Sequence, residues 1–327
     1  MFEPRKTFKS RLIAVAVAGA ATLMVAAPAQ AYVMASSMLN MTNFTISNDA
    51  TGTQLDFTNF ETLSFDGFGS YSGNLTGTTG FTDSLSTSIG GGSIDLPLQC
   101  LGTGCLPLGL AENTFPKLAA APEGNYVAAD QFESGSPVTN IPGFGNDPAT
   151  VANAAYAALL DITASGQSQS TNTLSATFEF VLGQDTALLF DFNIEAWLQV
   201  ALTADEIAPG SAFASYQFDF GIVDADDNPV FGISPDLFGG NQRQLTRNAP
   251  LAASQSEEVI RNLDTLNISF VTPVLTAGET FKLDLRMQTN AEVERTQAVP
   301  EPATLALLGL GLLGLGVAAR RRSLEKS

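Results

Sequence analysis

Histidine is absent from this chain of 327 residues, and cysteine occurs only twice. Without histidine the chain has no Ser-His-Asp triad, no Cys-His catalytic pair and no His-ligated zinc site. Basic residues are also scarce, because 15 Lys and Arg stand against 33 Asp and Glu and give a net charge of -18. Phosphate binding needs clustered Lys and Arg, so this acidity argues against nucleic acid as a partner. Hydrophobic residues still make up 45% of the chain, which is enough to form a folded core.

The N-terminus has the three parts of a secretory signal peptide, which we place at residues 1–31. Basic residues precede an apolar run over residues 12–27, and Ala29 and Ala31 form a small-x-small cleavage site. Cleavage there starts the mature chain at Tyr32 and requires the secretion machinery as a partner. The alternative is an uncleaved membrane anchor, which is disfavoured because no stop-transfer pattern follows.

A second apolar run, over residues 303–319, lies near the C-terminus. A membrane-spanning helix needs about 20 apolar residues to cross about 30 Å of hydrocarbon, so this run is at the lower limit of length. Pro300 and Pro302 flank Glu301 just before it and block helix propagation there. Three arginines follow it and fit the basic, cytoplasmic side of a spanning helix: Arg320, Arg321 and Arg322.

This tail resembles the PEP-CTERM sorting signal of Gram-negative bacteria. It contains, in order, Val299, the tripeptide Pro300-Glu301-Pro302, the Leu/Gly-rich run and the arginine cluster. The resemblance implies processing by an exosortase, an integral-membrane cysteine transpeptidase. It also implies an inner-membrane-anchored precursor that later reaches the cell surface or the extracellular space. The family is associated with exopolysaccharide-producing, biofilm-forming bacteria. We assign residues 299–327 to this signal; the resemblance says nothing about the fold before it.

Between the two ends, the pattern predicts a mainly β protein. Residues 32–165 form a Gly/Ser/Thr-rich β region, and residues 166–298 form a second β region that we expect to share one body with the first. Period-2 alternation with one polar face indicates antiparallel sheets, and we predict a β-sandwich or jelly-roll-like fold. The clearest alternations run over 188–202, 216–222, 266–270 and 281–287.

One short helix is predicted in the first region. Asp147 is suited to the N-cap and Pro148 to the first helical position. Gly166 ends the predicted helix. Between Pro148 and Gly166, apolar residues recur with helical spacing: Val151, Ala154, Ala155, Ala158 and Leu159.

Cys100 and Cys105 are separated by Leu-Gly-Thr-Gly. A zinc site needs four ligands, which this pair cannot complete without histidine. In an exported protein the two thiols are expected to form a structural disulfide. A redox role is the alternative, although the spacing is not that of a CxxC motif.

The segment from Asp224 to Asn228 contains alternating oxygen ligands, at Asp224, Asp226, Asp227 and Asn228. Such ligands suit Ca²⁺, which takes six to eight oxygens. Asp-Asn-Pro between two strands is also ordinary hairpin-turn chemistry, and this second interpretation is the favoured one. No other cofactor is indicated.

Trp197, the only tryptophan, falls on the polar face of the longest alternating strand. An exposed tryptophan there could stack on a sugar ring, whereas a covered one would simply belong to the core. Carboxylates are plentiful, but no pair has a spacing that marks a glycosidase site.

The function that we expect is non-catalytic: an exported, exosortase-processed surface or extracellular-matrix protein associated with exopolysaccharide. One alternative is a secreted polysaccharide hydrolase that works through carboxylates. Another is a Ca²⁺-dependent carbohydrate-binding or adhesion module that uses Asp224–Asn228.

Overall fold

A computed structural model describes residues 32–75, 81–88, 95–118, 124–142, 146–160, 166–202, 210–234, 237, 243–248 and 257–295. The predicted signal peptide and sorting signal lie outside these residues, and so does the predicted membrane helix. Within the described ranges, none of the helices has the length and apolarity needed to cross a membrane.

The described residues form thirteen strands, one 3-10 turn (Phe57–Asn59) and one short helix, α1 (Cys105–Leu108). The strands are β1 (Val33–Asn48), β2 (Phe60–Leu75), β3 (Phe81–Ser88), β4 (Asp95–Leu101), β5 (Tyr126–Ser134), β6 (Ala149–Leu159), β7 (Gly166–Leu182), β8 (Thr186–Leu202), β9 (Gly210–Asp224), β10 (Pro229–Ile233), β11 (Gln244–Asn248), β12 (Glu257–Leu275) and β13 (Thr280–Arg295).

Two antiparallel sheets make up the fold, which confirms the predicted mainly β architecture. The first sheet has the strand order β12-β8-β1-β6-β5-β4. The second has the order β10-β9-β13-β7-β2-β3, with β11 also pairing with β9. Both predicted regions contribute strands to each sheet, since β1 pairs with β8 and β2 pairs with β7. The two regions therefore form one body.

The core between the sheets is rich in phenylalanine. The inward-facing side of β8 carries Phe190 and Phe192, which are buried against Phe220 of β9 in the second sheet. The ring centroids of Phe190 and Phe220 lie 5.0 Å apart in an edge-to-face arrangement, and Phe44 of β1 lies 6.0 Å from Phe220. Such aromatic pairs stabilise the fold by about 1 kcal/mol each beyond the area that they bury.

The four strands with the clearest alternation are confirmed as β8, β9, β12 and β13. Their odd-even pattern matches their burial, because one face of each strand packs on the core and the other is solvated or covered separately. Strand β10 follows the turn at Asp224–Asn228, as the sequence indicated.

The predicted helix after Asp147 is wrong, because these residues form the central strand β6. Val151, Ala155 and Leu159 face the second sheet, whereas Ala154 and Ala158 lie on the opposite, outer face. Both faces are buried, so the strand is apolar throughout and shows no alternation. Its apolar positions coincide with helical spacing by chance, and packing overrides the helix propensity of alanine.

Candidate functional site

The outer face of the first sheet is covered by a segment that we call the cover segment, residues Cys105–Leu118. Its apolar side chains pack on a second cluster of buried residues, separate from the main core. We call this cluster the outer cluster; it consists of Met34, Met38, Tyr126, Ala128, Ala154, Tyr156, Ala158, Trp197 and Ala201. The first sheet is therefore buried on both faces beneath this segment.

The cover segment begins at a disulfide. Cys100 near the end of β4 and Cys105 at the start of α1 are joined, with their Cα atoms 5.8 Å apart. The turn between them requires glycine at position 102, where φ is +117° and a Cβ atom would overlap the carbonyl oxygen of Asn125. The disulfide thus fixes the start of the cover segment against the residues that lead into β5.

Polar contacts hold the rest of the cover segment. The Tyr156 hydroxyl donates to the carbonyl of Pro116 at 3.2 Å. The Lys117 ammonium lies 3.2 Å from the Asp264 carboxylate and 4.0 Å from that of Glu195. The segment is therefore joined to the first sheet along its length, from β4 to β12.

Trp197 lies under this segment rather than on an open surface. Its side chain is 6% exposed, and its indole N–H donates to the Ser36 hydroxyl at 3.2 Å. Stacking on a sugar requires an accessible ring face, which this tryptophan lacks. This burial agrees with the alternative in which Trp197 belongs to the core.

A buried carboxyl group lies at the edge of the outer cluster. Asp130 on β5 is 2% exposed and accepts a hydrogen bond from the backbone N–H of Asn113 at 2.9 Å. Burial, with the negative charges of Glu112 and Asp95, raises the pKa of Asp130 to about 7 against the hydrogen bond from Asn113. Glu112 is itself engaged, because its carboxylate accepts the N–H of Leu98 at 2.8 and 3.0 Å.

A second buried carboxyl group, Glu133, lies three residues further along β5. It is 8% exposed, and burial raises its pKa to about 7. Its Oε2 atom has no hydrogen-bond partner, and neither does the side-chain amide of the fully buried Gln131. Each such group costs free energy in the folded state.

Asp130 and Glu133 do not form a catalytic pair. Side chains three positions apart on a strand point to opposite faces, so Asp130 faces the cover segment and Glu133 faces the second sheet. Acid–base hydrolysis of a glycosidic bond needs two carboxyl groups on either side of one scissile bond. These two carboxyl groups are separated by the sheet itself.

The segment at Asp224–Asn228 forms the turn between β9 and β10. The Asp224 carboxylate accepts hydrogen bonds from the backbone N–H groups of Asp226 and Asn228, each at 2.9 Å, and from the Asn228 side chain. These bonds lower the pKa of Asp224. Asp227, with φ at +62°, forms an ion pair with Lys282 at 2.9 Å.

The Asp224 carboxylate thus serves the turn, and the Asp227 carboxylate is paired with Lys282. Across the described ranges, no group of three or more Asp, Glu, Cys or His side chains is arranged to hold a metal ion. The geometry agrees with the turn interpretation.

The remaining predicted site residues are in the two ends of the chain. Ala29 and Ala31 of the cleavage site lie outside the described residues, as do Val299, Pro300, Glu301, Pro302 and Arg320–Arg322.

Sequence reasoning missed Asp130 and Glu133. A signal was present, because Asp130 follows directly on Tyr126–Ala129, a stretch that is apolar on both faces, and Glu133 comes three residues later. In a strand without a polar face, a charged residue is expected to be buried.

The described chain is an antiparallel β-sandwich with a disulfide-bounded cover segment, and its assignment to a class comes from its tail. The family model of the PEP-CTERM protein-sorting motif matches residues 298–322. The chain therefore carries a PEP-CTERM protein-sorting motif, which indicates an extracellular protein targeted to an exosortase.

Comparison with other proteins adds little about the body. No curated protein matches the chain. Among solved structures, the chain matches one described as the structure of infectious bursal disease virus Gx strain, with 10% sequence identity over 83% of this chain and 71% of that chain. The TM-score of this match is 0.11, which carries no argument about fold or function.

Proposed function

We propose that this protein is a non-catalytic component of the cell surface or extracellular matrix that associates with exopolysaccharide after exosortase processing. The observation that carries the proposal is the PEP-CTERM motif at residues 298–322. In this scheme the signal peptide directs export and is removed after Ala31. The apolar run then holds the precursor in the inner membrane until the exosortase acts near Pro300-Glu301-Pro302.

The surface chemistry of the chain supports an extracellular matrix role. A net charge of -18 repels anionic lipid and favours a hydrated environment such as a polymer layer. The described apolar residues are used mainly in the core and the outer cluster.

The arrangement of carboxyl groups supports a non-catalytic role. Asp130 is buried beneath the cover segment, Glu112 is bonded to the backbone of β4, and Glu133 lies on the opposite face of β5. Glu112 lies near Asp130, but Asp130 is buried and Glu133 lies on the other face, so these groups do not flank an open cleft, which hydrolysis through two carboxyl groups requires.

Sorting is tested by fractionating cells that express Glu301→Gln or the matched control Glu325→Gln. Glu301 lies within the recognition tripeptide, whereas Glu325 lies after the arginine cluster. We expect Glu301→Gln to remain in the membrane fraction and Glu325→Gln to reach the surface or medium as the unaltered protein does. Equal release of both variants would contradict the role of the tripeptide.

Association with polysaccharide is tested by sedimenting the processed protein with exopolysaccharide purified from the same cells. We expect the protein to sediment with the polymer and the number of reducing ends to stay constant. Protein that stays in the supernatant would contradict the association. A rise in reducing ends would instead support the hydrolase.

A further inference from the structure

Strand β12 is a long strand at the edge of the first sheet. It comprises 19 residues, and among the described strands it pairs only with β8. It also carries four of the six large apolar side chains that are exposed in the described part of the chain: Ile260, Leu266, Val271 and Val274. Edge strands of monomeric proteins are usually protected by charge, proline or bulges, because their outer backbone groups can pair with another chain.

The protection of β12 lies on either side of a short segment in its C-terminal half. Bulges interrupt its pairing with β8 between Leu263 and Leu266 and between Val271 and Val274, and Pro273 lies in the second bulge. Between the bulges, Leu266–Val271 pairs regularly with β8 and contains no charged residue. This six-residue segment is thus a regular, uncharged edge.

The two faces of the segment differ in character. Leu266, Ile268 and Phe270 lie on the inner, apolar face, where Leu266 is 40% exposed and the other two are half-buried. Asn267 and Ser269 lie on the outer face and are exposed. The edge therefore presents an incompletely buried apolar row beside a polar one.

We propose that this edge pairs with the same edge of a second copy of the chain. In an antiparallel pair, directly opposite residues share a face of the sheet. A two-fold axis at Ile268 places Leu266 opposite Phe270 of the second copy, and Asn267 opposite its Ser269. Apolar side chains then meet apolar ones and polar side chains meet polar ones, which joins the two first sheets into one continuous sheet.

The distribution of charge along β12 favours this occupant. All the charged residues of the strand precede Leu266: Glu257, Glu258, Arg261 and Asp264. Antiparallel pairing about Ile268 sets this charged half of the strand alongside the uncharged half of the second copy. No two carboxylates of β12 then lie opposite each other, even though the chain as a whole is acidic.

The first test compares two serine-to-lysine variants of the full chain in detergent, by analytical ultracentrifugation. Ser269→Lys places a charge on the proposed edge, next to Asp191 of β8, so the fold itself should tolerate it. Ser72→Lys makes the same change at an exposed position of β2, which lies between β7 and β3. We expect the unaltered chain and Ser72→Lys to be dimers and Ser269→Lys to be a monomer. A monomeric unaltered chain, or a dimeric Ser269→Lys, would overturn the proposal.

The second test locates the two-fold axis with single cysteines. Both native cysteines are joined in the Cys100–Cys105 disulfide, so an introduced cysteine is the only free thiol. Directly opposite Cβ atoms in an antiparallel pair are about 5 Å apart, close enough for cross-linking. We expect Ile268→Cys to form a covalent dimer on oxidation and Asn262→Cys, away from the axis, to remain monomeric on a denaturing gel. Equal cross-linking of both variants would contradict this register.

Discussion

Burial of Glu133 predicts that the protein loses stability as the pH rises towards neutral. Its pKa is raised from 4.5 to about 7 in the folded state by burial. Between these two values the folded state binds more protons than the unfolded state, so the free energy of unfolding falls as the pH rises through this window. The fall ends near pH 7, because above that value the carboxyl group is ionised in both states.

The size of this effect follows from the shift in pKa. A difference of about 2.5 units, at 1.36 kcal/mol each, corresponds to about 3 kcal/mol of lost stability at pH 8. Glu133→Gln has nearly the same shape but cannot ionise. We therefore expect it to raise the free energy of unfolding by about 2–3 kcal/mol at pH 8 and to change it little at pH 4.

Urea unfolding at pH 4, 6 and 8, followed by fluorescence, measures this difference. Trp197 is the only tryptophan and is 6% exposed, so its emission reports loss of the outer cluster. Glu179→Gln is the matched control, because Glu179 is exposed on β7. If Glu133→Gln follows the same pH dependence as Glu179→Gln and the unaltered chain, the reasoning from burial is refuted.

Three further predictions concern the cover segment and the β9–β10 turn. Asp130→Asn keeps an acceptor for the Asn113 N–H and removes the buried charge. The same urea titration should therefore show a higher free energy of unfolding at pH 8 but not at pH 4. An equal effect at the two pH values would contradict this prediction. Reduction of the Cys100–Cys105 disulfide should lower the free energy of unfolding by about 2 kcal/mol, and an unchanged urea midpoint would contradict its structural role. Asp224→Ala removes hydrogen bonds of the turn, so it should lower the free energy of unfolding by about 1 kcal/mol. Added Ca²⁺ should leave the melting temperature of the unaltered chain unchanged. A rise in melting temperature on addition of Ca²⁺ would contradict the turn interpretation.

The alternating strands could be predicted because each packs one face on the core. In β8 the inward side carries Phe190, Phe192 and Ile194, and the polar residues between them lie on the other face. That contrast is the physical cause of the period-2 pattern. The fold class follows from several such strands without any tertiary information.

Strand β6 could not be predicted in the same way, because it is buried on both faces. Its alanines allow the cover segment and the second sheet to pack closely on either side, which removes the polar face that marks a strand. The burial of Trp197 has the same origin, since it depends on where Cys105–Leu118 lies. That position is fixed by long-range contacts such as those between Lys117 and Asp264, which no local pattern encodes.

The tail was the most predictable part of the site, because its signal is linear. A proline-flanked glutamate, an apolar run and an arginine cluster are read from the sequence directly, and the family model matches the same residues. Asp130 and Glu133 required the fold, because their altered pKa values arise from burial, beneath the cover segment for Asp130 and towards the second sheet for Glu133.

Exosortase processing is tested by measuring the intact mass of the protein from cells with and without the exosortase. With the enzyme present, we expect a chain that begins at Tyr32 and lacks the apolar run and Arg320–Arg322. Without the enzyme, we expect a chain that still ends at Ser327. A protein that retains Ser327 in exosortase-bearing cells would show that the tail is not a sorting signal.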